Sequence, residues 1–156
     1  MLSFLLLAVL IISTLVPSSN ATNTRELVGG YGPIPDLEDP MVVNAAKFAF
    51  LELFAANEKP YDFVTEMEGD HEAFVPLIVA GSEQVVAGLN LKLTLMIQKV
   101  DESSGETFCR GAMEVEVYLN LDQTMEVTEW GDEFTCDEAQ AFLEDRLKNE
   151  EKNGGN

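Results

Sequence analysis

Cys109, Cys136 and His71 carry the most distinctive side-chain chemistry in this 156-residue chain, which has no other cysteine or histidine. A cysteine thiolate beside an imidazole base makes a nucleophile, and Cys109 with His71 is the pair on offer. Two features argue against it. Cys136 gives Cys109 a ready disulfide partner, and no orienting or oxyanion-binding motif surrounds His71, which reads as an exposed loop residue. Two cysteines and one histidine are also too few for a four-coordinate Cys/His zinc site. The carboxylates are numerous but scattered, as in Glu66, Glu68 and Asp70, Glu114 and Glu116, or Asp132 and Glu133, and none has the Asp-x-Asp-x-Asp-Gly spacing of a calcium loop. No catalytic residue, no metal site and no cofactor is expected.

Charge narrows the classes further. The chain has 28 acidic and 9 basic residues, a net charge of −19. Such a surface repels a phosphate backbone, and the Lys and Arg residues are spread singly, so no nucleic-acid partner is expected. A hydrophobic fraction of 46% argues for a folded chain despite the charge, and the length suits one domain.

The elements that must position any site follow from periodicity and turn chemistry. Leu2 to Val16 is apolar except for Ser3, Ser13 and Thr14, and small or polar residues follow to Ala21. That pattern predicts a signal peptide over 1–21, cleaved after Ala21, and a secreted protein with no membrane contact afterwards. An uncleaved anchor is the alternative, although fifteen apolar residues are short for the roughly 20 that span a bilayer. Secretion would put the two cysteines where disulfides persist. One pairing is available, and if formed it closes a loop of 27 residues, worth roughly 3–4 kcal/mol in the chain-entropy treatment.

Asp39-Pro40 is a helix start, and Val42, Ala45, Ala46, Ala49, Phe50 and Leu53 recur at helical spacing up to Ala56-Asn57. Residues 62–72 read as an exposed acidic loop with one helical turn or none. From Phe74 the period becomes two. A strand over 74–84 is interrupted at Pro76, and Leu89 to Ile97 and Met113 to Leu121 alternate strictly. A last strand runs from Met125 to Trp130. Thr135-x-x-Glu138 is a capping box opening a short helix over 137–149, and the tail at 153–156 is expected to be disordered. One helix on an antiparallel sheet is an α+β arrangement.

Three separated segments then line up. Leu27-Val28-Gly29-Gly30, Ala46-Lys47-Phe48-Ala49 with Glu52, and Gln84-Val85-Val86-Ala87-Gly88 occur in that order, with the helix before and an alternating strand after the last. Together they resemble the cystatin superfamily of cysteine-protease inhibitors: its N-terminal glycine trunk, its helix signature and its Gln-x-Val-x-Gly hairpin loop. The resemblance covers 27–130 and extends toward Cys136. It implies one long helix wrapped by an antiparallel sheet of four to five strands over 22–136, followed by a short C-terminal helix and tail over 137–156. It also implies a monomer that reversibly inhibits papain-like cysteine endopeptidases, and a pairing of Cys109 with Cys136 like the second disulfide of secreted relatives.

The implied contact residues are Leu27, Val28, Gly29 and Gly30 of the trunk and Gln84, Val85, Val86, Ala87 and Gly88 of the first loop. A glycine at 29 would let the backbone pass close to the enzyme's catalytic residues. The family's second-loop Pro-Trp is missing here. Two registers compete: Tyr118, Leu119 and Asn120, with the loop at 118–122, or the single tryptophan, Trp130. The first is favoured, because counting along the hairpins brings both tips to one end of the sheet. Asn57 lies one position from an asparagine that some relatives use against legumain-type proteases, and reads more simply as a helix C-terminal residue. The rival reading is an acidic binding protein that has lost inhibition and takes cations, a mineral surface or a basic partner.

Overall fold

A computed structural model describes residues 30–67, 69, 73–101 and 103–153. The expected leader, the trunk residues Leu27, Val28 and Gly29, His71 and residues 154–156 of the expected tail lie outside them, while Asn153, expected to be disordered, is helical. A short strand β1 (Gly32–Pro33) leads to helix α1 (Pro40–Ala55) and one helical turn, α2 (Asp62–Thr65). Four long strands follow, β2 (Phe74–Val85), β3 (Gly88–Val100), β4 (Thr107–Asn120) and β5 (Met125–Phe134), then helix α3 (Cys136–Asn153). The strands form one antiparallel sheet in the order β1-β2-β3-β4-β5.

The α+β class holds, but the single long helix wrapped by the sheet does not. α1 has 16 residues and lies on one face, while α3, expected to be short, has 18 and covers part of the other. The reason is that the sheet has two apolar faces. Leu91, Leu93, Leu95, Ile97, Met113, Val115 and Val117 pack against the buried residues of α1, from Val42 to Leu53. On the opposite face Val79, Met96 and Ala112 meet Ala139, with Leu77 and Leu143 beside them.

Local chemistry sets where each helix stops. The Asp39 carboxylate accepts the Met41 amide at 2.8 Å, with Pro40 in the first turn, where its missing N–H costs nothing. At the other end the chain turns extended at Ala56. The Lys59 ammonium donates to the carbonyls of Phe54 (2.6 Å) and Ala56 (3.2 Å), covering acceptors that the ended helix leaves open. In α3 the reciprocal capping box is made: Glu138 N–H donates to Thr135 Oγ1 at 3.3 Å, and Thr135 N–H donates to the Glu138 carboxylate at 2.8 Å. Arg146 then fixes the helix body, donating to the Ile78 carbonyl at 2.9 Å and pairing with Glu150 at 2.7 Å.

Two further expectations are corrected. The acidic segment after residue 62 is not simply an exposed loop, because Phe63, Val64 and Met67 are buried in the main core. Gly111 makes room for this insertion: a Cβ there would sit 2.6 Å from the Phe63 ring. Pro76 does not interrupt β2 either. It pairs with Ile97, and β1 covers β2 only at Ser82 and Glu83, so the side of β2 next to Pro76 has no β1 partner to need its missing N–H.

Cys109 on β4 and Cys136, the first residue of α3, form a disulfide with Cα atoms 5.9 Å apart. It ties the helix of one face to a central strand. Replacing both cysteines by serine should lower unfolding stability by roughly 3–4 kcal/mol, the chain-entropy value for a loop of this length. Urea titration of the double variant against the oxidised parent measures it.

Candidate functional site at the hairpin tips

The register of the central strands creates the site. β3 pairs with β4 so that Gly88 stands opposite Asn120 and Leu89 opposite Leu119. The β2–β3 hairpin tip and the β4–β5 tip therefore lie side by side at one end of the sheet, and the β3–β4 turn lies at the other. β1 runs antiparallel to β2 with Gly32 opposite Glu83, so Tyr31 and Gly30 continue toward the tip end.

The first tip is three residues between paired Val85–Leu89 ends, closed by a 3.1 Å bond from Val86 N–H to the Gly88 carbonyl. Val85 is 75% exposed and Val86 46%. Apolar side chains held that far into solvent at a loop end suit contact with another surface. Gln84 and Asn90 flank the tip and join their side-chain amides across the hairpin at 3.2 Å. Gly88 needs to be glycine for space rather than for φ. A Cβ there would collide with the Leu119 carbonyl oxygen and come within 2.7 Å of the Tyr118 ring.

The second tip is Leu121 to Gln123. Asn120 N–H donates to the Thr124 carbonyl and Gln123 N–H to the Asn120 carbonyl, both at 2.9 Å, with Gln123 at a φ of 68°. The Asp122 carboxylate accepts the Thr124 hydroxyl at 2.6 Å and its amide at 3.0 Å. Those two bonds hold its pKa below the usual carboxylate range. Leu121 protrudes from this frame and is 82% exposed. Between the two tips and the start of α1 runs an open groove of about 550 Å³, floored by Leu89, Leu119 and Met125 with Met41 and Asn44 on its helix side.

The sequence-predicted residues take different places in this end. Val86, Ala87 and Gly88 form the first tip, with Val85 at the end of β2 beside them. Tyr118 stays in β4, half-buried, with its hydroxyl donating to the Ala87 carbonyl at 3.0 Å. Leu119 is 7% exposed and belongs to the core. Asn120 turns its carboxamide oxygen onto the Leu121 amide at 2.8 Å. Trp130 lies mid-strand in β5 and packs on the main core, edge-on to Tyr61 with ring centroids 6.2 Å apart. Leu121 lies within the expected loop at 118–122 but is not among the expected contact residues, because it continues the inward alternation of residues 113–121. The signal that could have found it is the turn triplet Asp122-Gln123-Thr124 beginning right after it.

No protein-family model and no curated protein matches the chain. What the tip end can do follows from its chemistry. It offers hydrophobic side chains and backbone on a braced edge. The described residues hold no group of three or more His, Cys, Asp or Glu able to bind a metal ion, and no helix among them is long and apolar enough to cross a membrane.

The far side of the sheet near the tips is polar. Lys92 pairs with Glu114 at 2.8 Å, which raises its pKa, and Glu116 and Glu129 add to the effect. Tyr31 reaches this face. Partial burial, a hydrogen bond to the Glu116 carboxylate and the nearby charges of Glu116, Glu129 and Glu114 push its hydroxyl pKa well above the ordinary phenol value. α3 covers the half of this face away from the tips and leaves them clear.

Gly88→Ala should destabilise the fold by about 1–3 kcal/mol, the usual cost of overfilling a tight site. Gly32→Ala, where an added methyl meets nothing within 4 Å, should change it by less than about 0.5 kcal/mol, as for ordinary surface positions. Denaturant titrations of the two variants give the comparison.

Proposed function

We propose that this chain is a secreted, reversible inhibitor of papain-like cysteine endopeptidases, inserting the Leu27–Gly30 trunk and the two hairpin tips into the enzyme's active-site cleft. The observation that carries this reading is the convergence at one end of the sheet of two short tips bearing exposed Val85, Val86 and Leu121, beside the edge where the chain enters. The sequence resemblance to cystatins in the first loop falls at this same end.

The physical logic is that of a preformed plug. A cleft protease cuts an extended segment laid across its catalytic cysteine. A tip fixed by strand pairing on both sides offers apolar contact without presenting an extended bond in register. Because the tips are already shaped in the free chain, little conformational entropy is lost on binding. Contact through valine, leucine and backbone also depends little on charge, which suits a chain of net charge −19. In this scheme Leu121 supplies the apolar side chain that the missing Pro-Trp would otherwise bring to the second loop.

Titrating active papain with the secreted, oxidised chain at mildly acidic pH tests the proposal. Stoichiometric loss of peptidase activity that reverses on dilution into excess substrate is expected. Val86→Asp and Leu121→Asp should each weaken inhibition by about 30-fold or more, the scale of a buried interface anchor, and Gly29→Arg should do the same. Inhibition unchanged by all three would sink the plug. If the folded parent leaves papain active while calcium titration gives tight stoichiometric binding, the acidic binding protein is the right reading instead.

A further inference from the structure

Resting on the inhibitor reading above, we infer that Tyr118 is a positioning residue: it belongs to the second hairpin but acts by holding the first tip in the shape a partner's cleft meets. Its hydroxyl donates to the Ala87 carbonyl at 3.0 Å, across a sequence separation of 31 residues. That carbonyl sits in the tip, past the last β2–β3 ladder pair, where an acceptor would otherwise face water. The ring contributes as well. The space where a Gly88 side chain would start is filled by Tyr118 Cε2 and Oη, each 2.7 Å from an ideal Cβ position, and by the Leu119 carbonyl. Gly88 and Tyr118 are thus complementary: the absence of a side chain at one lets the ring of the other lie against the backbone of the tip.

The division of labour follows from exposure. Val85, Val86 and Leu121 project, whereas Tyr118 is half-buried and its one polar atom is committed to the chain's own backbone. Strand pairing fixes the tip at its base, where Gly88 faces Asn120 and Gln84 joins Asn90. Within residues 86–88 the internal bond is Val86 N–H to the Gly88 carbonyl, and Val85–Leu89 is the last ladder pair before it. A tether from the neighbouring hairpin narrows the tip's conformations before a partner arrives, which favours association.

Tyr118→Phe removes the donor and keeps the ring. Amide exchange at Val86 in the free variant should accelerate about three- to tenfold, the factor corresponding to one net hydrogen bond. Association with papain should slow by a similar factor with the dissociation rate held, and the thermal midpoint should fall by no more than the few degrees that one hydrogen bond accounts for. Faster dissociation with Val86 exchange unchanged would mean that Tyr118 touches the partner directly, which overturns the proposal. So would exchange and association rates equal to the parent's. If the parent itself does not inhibit papain, the inhibitor reading fails on its own, and the exchange comparison still decides whether Tyr118 holds the tip.

Discussion

The register of β3 against β4 is the constraint on which the rest of this molecule depends. Thirteen residue pairs, from Gly88–Asn120 to Val100–Thr107, join the two central strands. A slip of one residue would turn Leu91, Leu93 and Leu95 away from α1 and present Lys92 and Thr94 to it. The same slip would pull the tips apart, because each hairpin hangs on one of these strands. Fold and candidate site thus share one determinant. A single displaced register, shown as a bulge between Ile97 and Gln98, is confined to the end remote from the tips.

Two helices act on this sheet in different ways. α1 is apolar nearly all round and buries one side deeply, with Ala45, Ala49 and Leu53 inaccessible to water. α3 is acidic and mostly exposed, held by a few strong points: the disulfide at its first residue, the capping box, a buried Ala139, and Arg146 threaded to the Ile78 carbonyl. The β2 bulge between Ile78 and Ala80 serves both sides, since Ile78 joins the main core and Val79 the cluster beneath α3. The open edge is protected by chemistry. β5 exposes Glu126, Glu129, Asp132 and Glu133 and carries register irregularities against β4, both of which discourage pairing with a further strand.

Much of this was legible because it rests on local pattern. The alternation in 89–97 and 113–121, the Asp39-Pro40 start and the Thr135/Glu138 box each encode an element within a few residues, and the elements formed there. What stayed hidden depends on partners far along the chain. Phe63, Val64 and Met67 sit among acids and look like loop until Gly111 opens a place for them. Pro76 looks like a break until its position on a part of β2 that β1 does not cover is known. The second face of the sheet is hard to see in β3 and β4, because Met96 and Ala112 fall in the polar phase of an otherwise regular alternation; its trace is the unbroken apolar run Phe74–Ala80 of β2, which places Val79 there. At the tips, Leu121 follows the inward phase yet projects, since the turn begins one residue earlier than periodicity suggests. Tyr118 sits where a contact residue was expected, and its hydroxyl is bonded inward.

The turn joining β3 to β4 has had no part in the site. Asp101 caps it, accepting the Ser103 hydroxyl at 2.6 Å and the amides of Ser103 and Ser104, which brings its pKa down to about 2, and Gly105 takes a φ of 71°. Thirteen residues of β3 separate it from the tips, roughly 40 Å at about 3.3 Å per residue. This turn is therefore a handle at the opposite end of the sheet from the tips. A fluorophore, a carrier surface or a second protein joined at the handle would leave the apolar end pointing outward and unobstructed.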